Sequence, residues 1–144
     1  MTPIMIQRLL ALVFLGLGAW ALLFPDTVER LVLTPEHYMG TAASNLLMAC
    51  FGAQAVLAGL VIALSKFRPI TFLVFGIVGS LPFFVFNFYF VFVVKMFTGW
   101  MLLDFVGNIA IFTLCMLGYR GLKLSDAQEG FVRAAPDKSR WQPA

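Results

Sequence analysis

The chain is 144 residues long. The apolar class AVILMFWYC makes up 61% of it, and Asp, Glu, Lys and Arg only 12%, about half of the charged fraction usual in soluble domains. The net charge is +3, and the basic residues are too few and too scattered to indicate nucleic-acid binding. Mean hydropathy is +0.93, so composition excludes an ordinary soluble domain and predicts a protein that lives in lipid.

Residue types that catalyse reactions or bind metals are scarce. Cys50 and Cys115 lie singly in apolar runs, outside any C-x-x-C or zinc-type spacing. The single histidine, His37, offers no pair for haem or for a histidine-rich metal site. No nucleophile-elbow, zinc-protease or nucleotide-binding motif occurs. We therefore predict neither enzyme activity nor a metal site.

Four apolar segments are predicted to cross the membrane, since a helical crossing needs roughly 20 apolar residues. The first has an N-cap at Thr2 and a proline at the first helical position, Pro3. A removed signal peptide is disfavoured here, because cleavage after Ala21 would fall inside the apolar stretch. The predicted spans are residues 3–24, 41–64, 69–94 and 100–119.

The spans make residues 1–120 a transmembrane domain, followed by a cytoplasmic polar tail at 121–144. Residues 25–40 are predicted to be a loop. In the tail, Ser125-x-x-Gln128 resembles a capping box, which predicts a short surface helix from about Asp126 to Ala134 before Pro136 ends it.

The distribution of Lys and Arg predicts the orientation. One flank carries eight basic residues: Arg8, Lys66, Arg68, Arg120, Lys123, Arg133, Lys138 and Arg140. The other flank carries Arg30 and Lys95. Both termini are therefore predicted to lie on the cytoplasmic side of a bacterial inner membrane, or on the equivalent side of an organelle membrane.

The third span has phenylalanine at alternate positions from Phe84 to Phe92, a spacing typical of a strand. A lone strand in lipid would leave its backbone N–H and C=O groups unpaired, so we predict a helix. Pro82 should kink that helix. Its rings would point all round and meet lipid, a partner subunit or a bound apolar ligand.

The second span carries a narrow stripe of mostly small side chains at helical spacing. The stripe consists of Asn45, Ala49, Gly52, Val56, Gly59 and Ala63. Small residues let helix backbones approach closely in lipid, so Gly52 and Gly59 are predicted to face another helix. Gln54 lies on the opposite side. An amide facing hydrocarbon is costly, which indicates a second helix contact or a partner chain there.

Asp104 is the only carboxylate inside a predicted span. It shares a helix face with Asn108, four residues later. In a hairpin that turns near Phe97, Asn87 lies at nearly the same depth as Asn108. The predicted polar cluster in the outer half of the bundle consists of Asn45, Asn87, Asp104 and Asn108, with Glu36 and His37 at its mouth.

This cluster has two interpretations. An intramembrane Asp104 is typical of a group that takes up and releases a proton, or binds a cation or a polar headgroup. The simpler interpretation is that the amides are hydrogen-bond partners that hold the helices in register, as polar side chains often do in bilayers.

The layout resembles the small four-span proteins grouped as DoxX-like. The features in common are a first span ending in Phe24-Pro25, an acidic loop, Cys50-Phe-Gly-Ala-Gln54 in the second span, and Trp100 with Asp104-x-x-Gly-Asn108 in the last. The resemblance covers residues 3–120 and implies a four-helix membrane bundle. It transfers no site residue.

The sequence thus predicts an all-α, four-span bundle surrounded by lipid. The preferred function is a non-catalytic accessory or structural subunit, in contact with other membrane subunits or with its own copies. One alternative is a small transporter or proton-coupled carrier that uses Asp104. Another is a protein that binds an apolar cofactor, such as a quinone, carotenoid or chlorophyll. No other cofactor is predicted.

Overall fold

The computed structural model describes residues 2–134. In chain order these residues form α1 (Pro3–Leu23), α2 (Pro25–Val32), α3 (Ala42–Leu64), α4 (Pro69–Phe88), a π turn (Tyr89–Val93) and α5 (Met101–Ala134). In this part of the chain, four segments are long and apolar enough to cross a bilayer: α1, α3, α4 with its π turn, and α5. The predicted all-α, four-span fold is confirmed.

Local signals in the sequence start three of these helices. The Thr2 hydroxyl oxygen accepts the Met5 N–H at 3.4 Å, and Thr41 forms a reciprocal capping box with Ser44. Pro69 opens α4, where its missing N–H costs nothing because the first turn has no intrahelical acceptor for it. These three helices therefore begin where the sequence pattern places them.

The segment predicted to be a loop after the first span contains a helix, α2. Pro25 stands at its first position, and Asp26 lies in its first turn, where the helix dipole favours a negative charge. Arg30, four residues later, donates to the Asp26 carboxylate at 2.8 Å. Apolar residues three and four positions apart, beginning at Val28, make α2 amphipathic although it has only eight residues, and tertiary contacts stabilise it.

The fourth span is longer than predicted. Helix α5 passes Gly121 without a break and runs to Ala134 over 34 residues, so the short surface helix expected at 126–134 is the last part of one continuous helix. A single glycine costs a helix only about 1 kcal/mol, too little to end it. Residues 135–144, the rest of the predicted tail, lie outside the described part of the chain.

The third span also stays helical past its proline. Helix α4 continues through Pro82 to Phe88. The winding loosens only afterwards, in the π turn, where the Val94 N–H reaches back to the Tyr89 carbonyl at 3.0 Å. The connection to α5 follows directly after the π turn.

The long helices are arranged as two hairpins, with α1 packed on α3 and α4 packed on α5. Helices α1 and α5 join the hairpins, so the order across the molecule is α3, α1, α5, α4. The core lies mainly where α1, α4 and α5 meet and contains Ile6, Leu10, Ala11, Ile62, Phe72, Ile111 and Cys115. Because α3 and α4 make no extensive contact, the row of helices stays open between them.

Glycines allow the closest helix contact, between α1 and α3. A Cβ added at Gly52 would collide with the backbone N of Leu22 and lie 2.7 Å from the Gly18 carbonyl oxygen. A Cβ added at Gly59 would lie 2.9 Å from the backbone N of Leu15. The small-residue stripe of the second span therefore lies against α1.

Both ends of the bundle are held by polar contacts. At the inner end, defined by Pro3 and the 65–68 connection, the Gln7 amide donates to the carbonyls of Ile62 and Ser65 at the end of α3, at 2.5 and 2.6 Å. Pro3 lies beside Gly121 of α5, so the start of α1 and the later part of α5 share this end. Which compartment it faces stays a prediction from the Lys and Arg distribution.

At the outer end, the α2–α3 connection is tied to the π turn–α5 connection. Leu33 and Phe97 form an isolated antiparallel bridge. The Thr34 N–H donates to the Met96 carbonyl at 3.0 Å, and the Thr98 hydroxyl donates to the Leu31 carbonyl at 2.6 Å. The two hairpins are therefore joined at this end by backbone hydrogen bonds.

Substituting Gly52→Ala should destabilise the fold by about 1–3 kcal/mol, since the new methyl group overlaps the α1 backbone. Gly16→Ala is the matched control: nothing lies within 4 Å of its added Cβ, and alanine favours a helix by about 1 kcal/mol over glycine. Thermal unfolding in mild detergent should show a lower Tm for Gly52→Ala and an unchanged or higher Tm for Gly16→Ala. Equal effects would contradict the α1–α3 contact.

Candidate functional site

Three of the predicted polar residues lie together between α4 and α5, and we call them the Asp104 cluster: Asn87, Asp104 and Asn108. The Asn87 amide donates to Asp104 Oδ2 at 2.7 Å. The Asn108 amide donates to the same oxygen at 2.9 Å and to the Asp104 carbonyl at 2.8 Å. Asn87 is 1% exposed and Asn108 5%, whereas Asp104 is half-buried. The carboxylate thus receives two amide N–H groups and still reaches the surface.

The cluster connects two helices at one depth. Asn87 is near the end of α4, just before the π turn, and Asp104 lies in the first turn of α5. Phe84 and Phe105 stack edge to face close by, with ring centroids 5.5 Å apart. The Asn87–Asp104 hydrogen bond therefore fixes the register of the α4–α5 hairpin, and Asn108 holds the carboxylate from within its own helix.

The structure does not bring Asn45 into this cluster. Its helix, α3, packs on α1 and α2 rather than on α4 or α5. The side-chain oxygen of Asn45, Oδ1, is buried and has no hydrogen-bond partner among residues 2–134. Asn45 therefore does not join the other three as predicted, because the helix on which α3 packs was inferred wrongly.

The two residues predicted at the mouth of the cluster make other contacts or none. His37 Nδ1 lies 2.8 Å from the Thr34 hydroxyl, within one turn of the chain. Glu36 is exposed. In the described part of the chain, neither residue forms a hydrogen bond with the Asp104 cluster.

A buried carboxylate that the sequence analysis missed is Glu29, on α2. It is 2% exposed and accepts two hydrogen bonds, from the Ser44 hydroxyl at 2.8 Å and from the Met39 N–H at 3.1 Å. Its negative charge lies at the start of α3, where the helix dipole stabilises it. The signal was the helix start at Pro25 and Asp26: in a helix, Glu29 lies on the inward side beside Val28.

A second, exposed polar group holds the outer connection. The Tyr38 hydroxyl donates to Asp26 at 2.6 Å, and Arg30 donates to the other oxygen of the same carboxylate at 2.8 Å. The Arg30 guanidinium also lies 5.0 Å from the centre of the Tyr38 ring. The hydrogen bond from Tyr38, and after it the hydrogen bond and charge of Arg30, lower the pKa of Asp26. These contacts tie α2 to the loop before α3.

The open side of the helix row forms a groove between α3 and α4, which we call the α3–α4 groove. Its volume is about 380 Å³. The lining residues are Gln54, Leu57, Ala58, Val61, Ile62, Ser65, Phe67, Thr71 and Phe75. The wall is therefore apolar around one amide, and Gln54 is exposed on it. The groove is open along the surface of the helix row.

The described residues contain no group of three or more His, Cys, Asp or Glu side chains suited to bind a metal ion. Comparison with protein-family models, curated proteins and solved structures finds no match for this chain. The resemblance to DoxX-like proteins stays a prediction. Function must therefore be inferred from the Asp104 cluster and the α3–α4 groove.

A double-mutant cycle should measure how strongly the Asp104 cluster joins α4 to α5. Asn87→Leu and Asp104→Leu should each lower the free energy of unfolding, and their coupling should be about 1 kcal/mol, as for other hydrogen bonds between membrane helices. Asn87→Leu with Thr113→Val is the control cycle, because Thr113 bonds only to the Ile109 carbonyl of its own helix. Coupling no larger than in the control would contradict the cross-helix role.

Proposed function

We propose that the protein is a non-catalytic subunit of a membrane assembly, and that its α3–α4 groove binds a transmembrane helix of a partner. The observation that supports this is Gln54, an amide on the apolar wall of a groove that opens to lipid. An unpaired amide costs roughly 4–8 kcal/mol on transfer from water to a hydrocarbon. A partner helix with a polar group at this depth would remove that cost.

The Asp104 cluster supports a structural role for the intramembrane carboxylate. Its Oδ2 already accepts from Asn87 and Asn108, and the bond from Asn87 joins two helices. A carboxylate in such a position stabilises a scaffold. The helix-binding function accounts for both polar features. The Asp104 cluster holds α4, which is one wall of the groove, against α5. Gln54 remains available for a hydrogen bond to a partner.

The test is purification in a gentle detergent with a groove-blocking variant. Ala58→Trp fills the groove with a large ring, whereas Leu12→Trp places the same ring on an exposed part of α1. Wild type and Leu12→Trp should purify with a stoichiometric helical membrane protein, and Ala58→Trp should lose it while keeping its Tm. A partner retained by Ala58→Trp, or neither another membrane protein nor a second copy of this chain in any preparation, would overturn the proposal.

A second candidate, a proton-coupled carrier that works through Asp104, has one observation in its favour. The side-chain oxygen of Asn87, Oδ1, is buried beside Asp104 and has no hydrogen-bond partner among residues 2–134. It can therefore accept a hydrogen bond from a protonated ligand. The half-buried Asp104 carboxylate lies next to this acceptor.

The carrier function predicts proton flux in vesicles reconstituted with the protein, measured with an entrapped pH-sensitive dye under an imposed potential. Asp104→Asn should abolish the flux, because an amide cannot take up the proton. Gln54→Leu, which leaves the Asp104 cluster intact, should leave the flux unchanged. Equal flux in protein-free vesicles and in wild-type vesicles would exclude this candidate.

A further inference from the structure

We infer that the partner helix is α3 of a second copy of this chain, and that the two Gln54 amides bind each other across a twofold axis along the membrane normal. This inference rests on the proposed helix-binding function and names the partner. It depends on the position of Gln54, the chemistry of its amide and the side chains around it.

Gln54 lies near the middle of α3, a helix of 23 residues. At 1.5 Å per residue it is about 18 Å from the start of α3, close to the centre of a hydrocarbon layer of about 30 Å. At that depth phospholipids present only hydrocarbon, so an acyl chain in the groove would leave the amide unpaired. A polar group on a protein helix is the occupant that matches it.

The amide of Gln54 is its own complement. It has a carbonyl oxygen that accepts and an NH₂ group that donates, so two such groups facing each other satisfy one another. Copies of one membrane protein insert in the same orientation, and a second copy therefore presents Gln54 at the same depth without any adjustment. A symmetric pair, in which the same patch meets itself, is the commonest arrangement of homo-oligomers.

The side chains around Gln54 form an exposed surface on α3. Cys50 lies one turn toward the outer end, and Leu57 and Val61 lie one and two turns toward the inner end. All three are exposed. The opposite side of α3, with Gly52 and Gly59, is already covered by α1. The free surface of α3 thus carries one amide among exposed apolar side chains, and the amide is the group that a second helix would pair.

Cys50 provides a direct test, because on a twofold axis close to Gln54 the two Cys50 thiols come near each other. In proteoliposomes, a short thiol-to-thiol cross-linker should join wild-type copies, while Cys115, which is fully buried, should stay unreactive. In a Cys50→Ala background, Leu57→Cys should cross-link as well. Leu12→Cys, on an exposed part of α1, is the matched control and should not.

Gln54→Leu should lower the cross-linked fraction about tenfold at low protein-to-lipid ratio, the size expected for loss of one helix–helix amide pair. Gln54→Asn keeps an amide and should retain most of the dimer. Because Gln54 is exposed and outside the core, both variants should keep wild-type helicity and Tm, which separates loss of pairing from loss of folding.

Undiminished cross-linking in Gln54→Leu would overturn the inference. So would the absence of cross-links at Cys50 and Leu57→Cys in wild-type-like folded protein. If a different membrane protein co-purifies and is lost in Ala58→Trp while two differently tagged copies of this chain do not associate, self-pairing is wrong and the proposed function stands. If neither partner binds, both proposals fail.

Discussion

In lipid, apolar side chains gain little by leaving their solvent, so helices associate through close backbone contact and through paired polar groups. The structure depends on both means. Gly18 and Gly52 bring the backbones of α1 and α3 so close that neither position has room for a methyl group. The other hairpin, α4 with α5, is joined by the Asn87–Asp104 hydrogen bond. Glycines also bring α4 and α5 close together, since a Cβ added at Gly76 would lie 2.7 Å from the Cys115 Cβ. The α4–α5 hairpin therefore combines both means.

Polar side chains elsewhere in the molecule stabilise helix ends, which lack intrahelical partners. Gln7 satisfies carbonyls at the end of α3, and Glu29 binds Ser44 and the Met39 N–H at its beginning. Both ends of α3 thus depend on side chains of other helices. This explains how a helix with only one extensive long-helix neighbour, α1, keeps its position beside an open groove.

The sequence predicted the features that follow from local chemistry and from depth in the membrane. The Thr2 cap and Pro3 placed the start of α1, and the hairpin count placed Asn87 at the level of Asn108, one turn from Asp104, to which it bonds. What it could not supply is the order of helices across the bundle. Asn45 shows the difference: nothing in the periodicity of α3 tells whether its polar residue meets α1, α4 or α5, because that depends on contacts distant in sequence.

Two other departures have a local cause. Helix α2 has apolar residues at helical spacing, but only over eight residues, so the segment was predicted to be a loop. In α5, a single Gly121 costs only about 1 kcal/mol, too little to end the helix. In both cases the local sequence is compatible with a helix, and the predicted boundary is wrong because it treats a short segment and one glycine as breaks.

The width of the α3–α4 groove follows from how the hairpins are joined. At the outer end the Leu33–Phe97 bridge and the Thr98–Leu31 hydrogen bond connect the hairpins through their loops. At the inner end a connection of four residues, 65–68, keeps α3 and α4 together. Between these two points the described residues form no extensive contact between α3 and α4. A groove held at both ends needs little ordering when a helix binds in it, and the exposed Gln54 is the polar group that the helix proposed above would have to match.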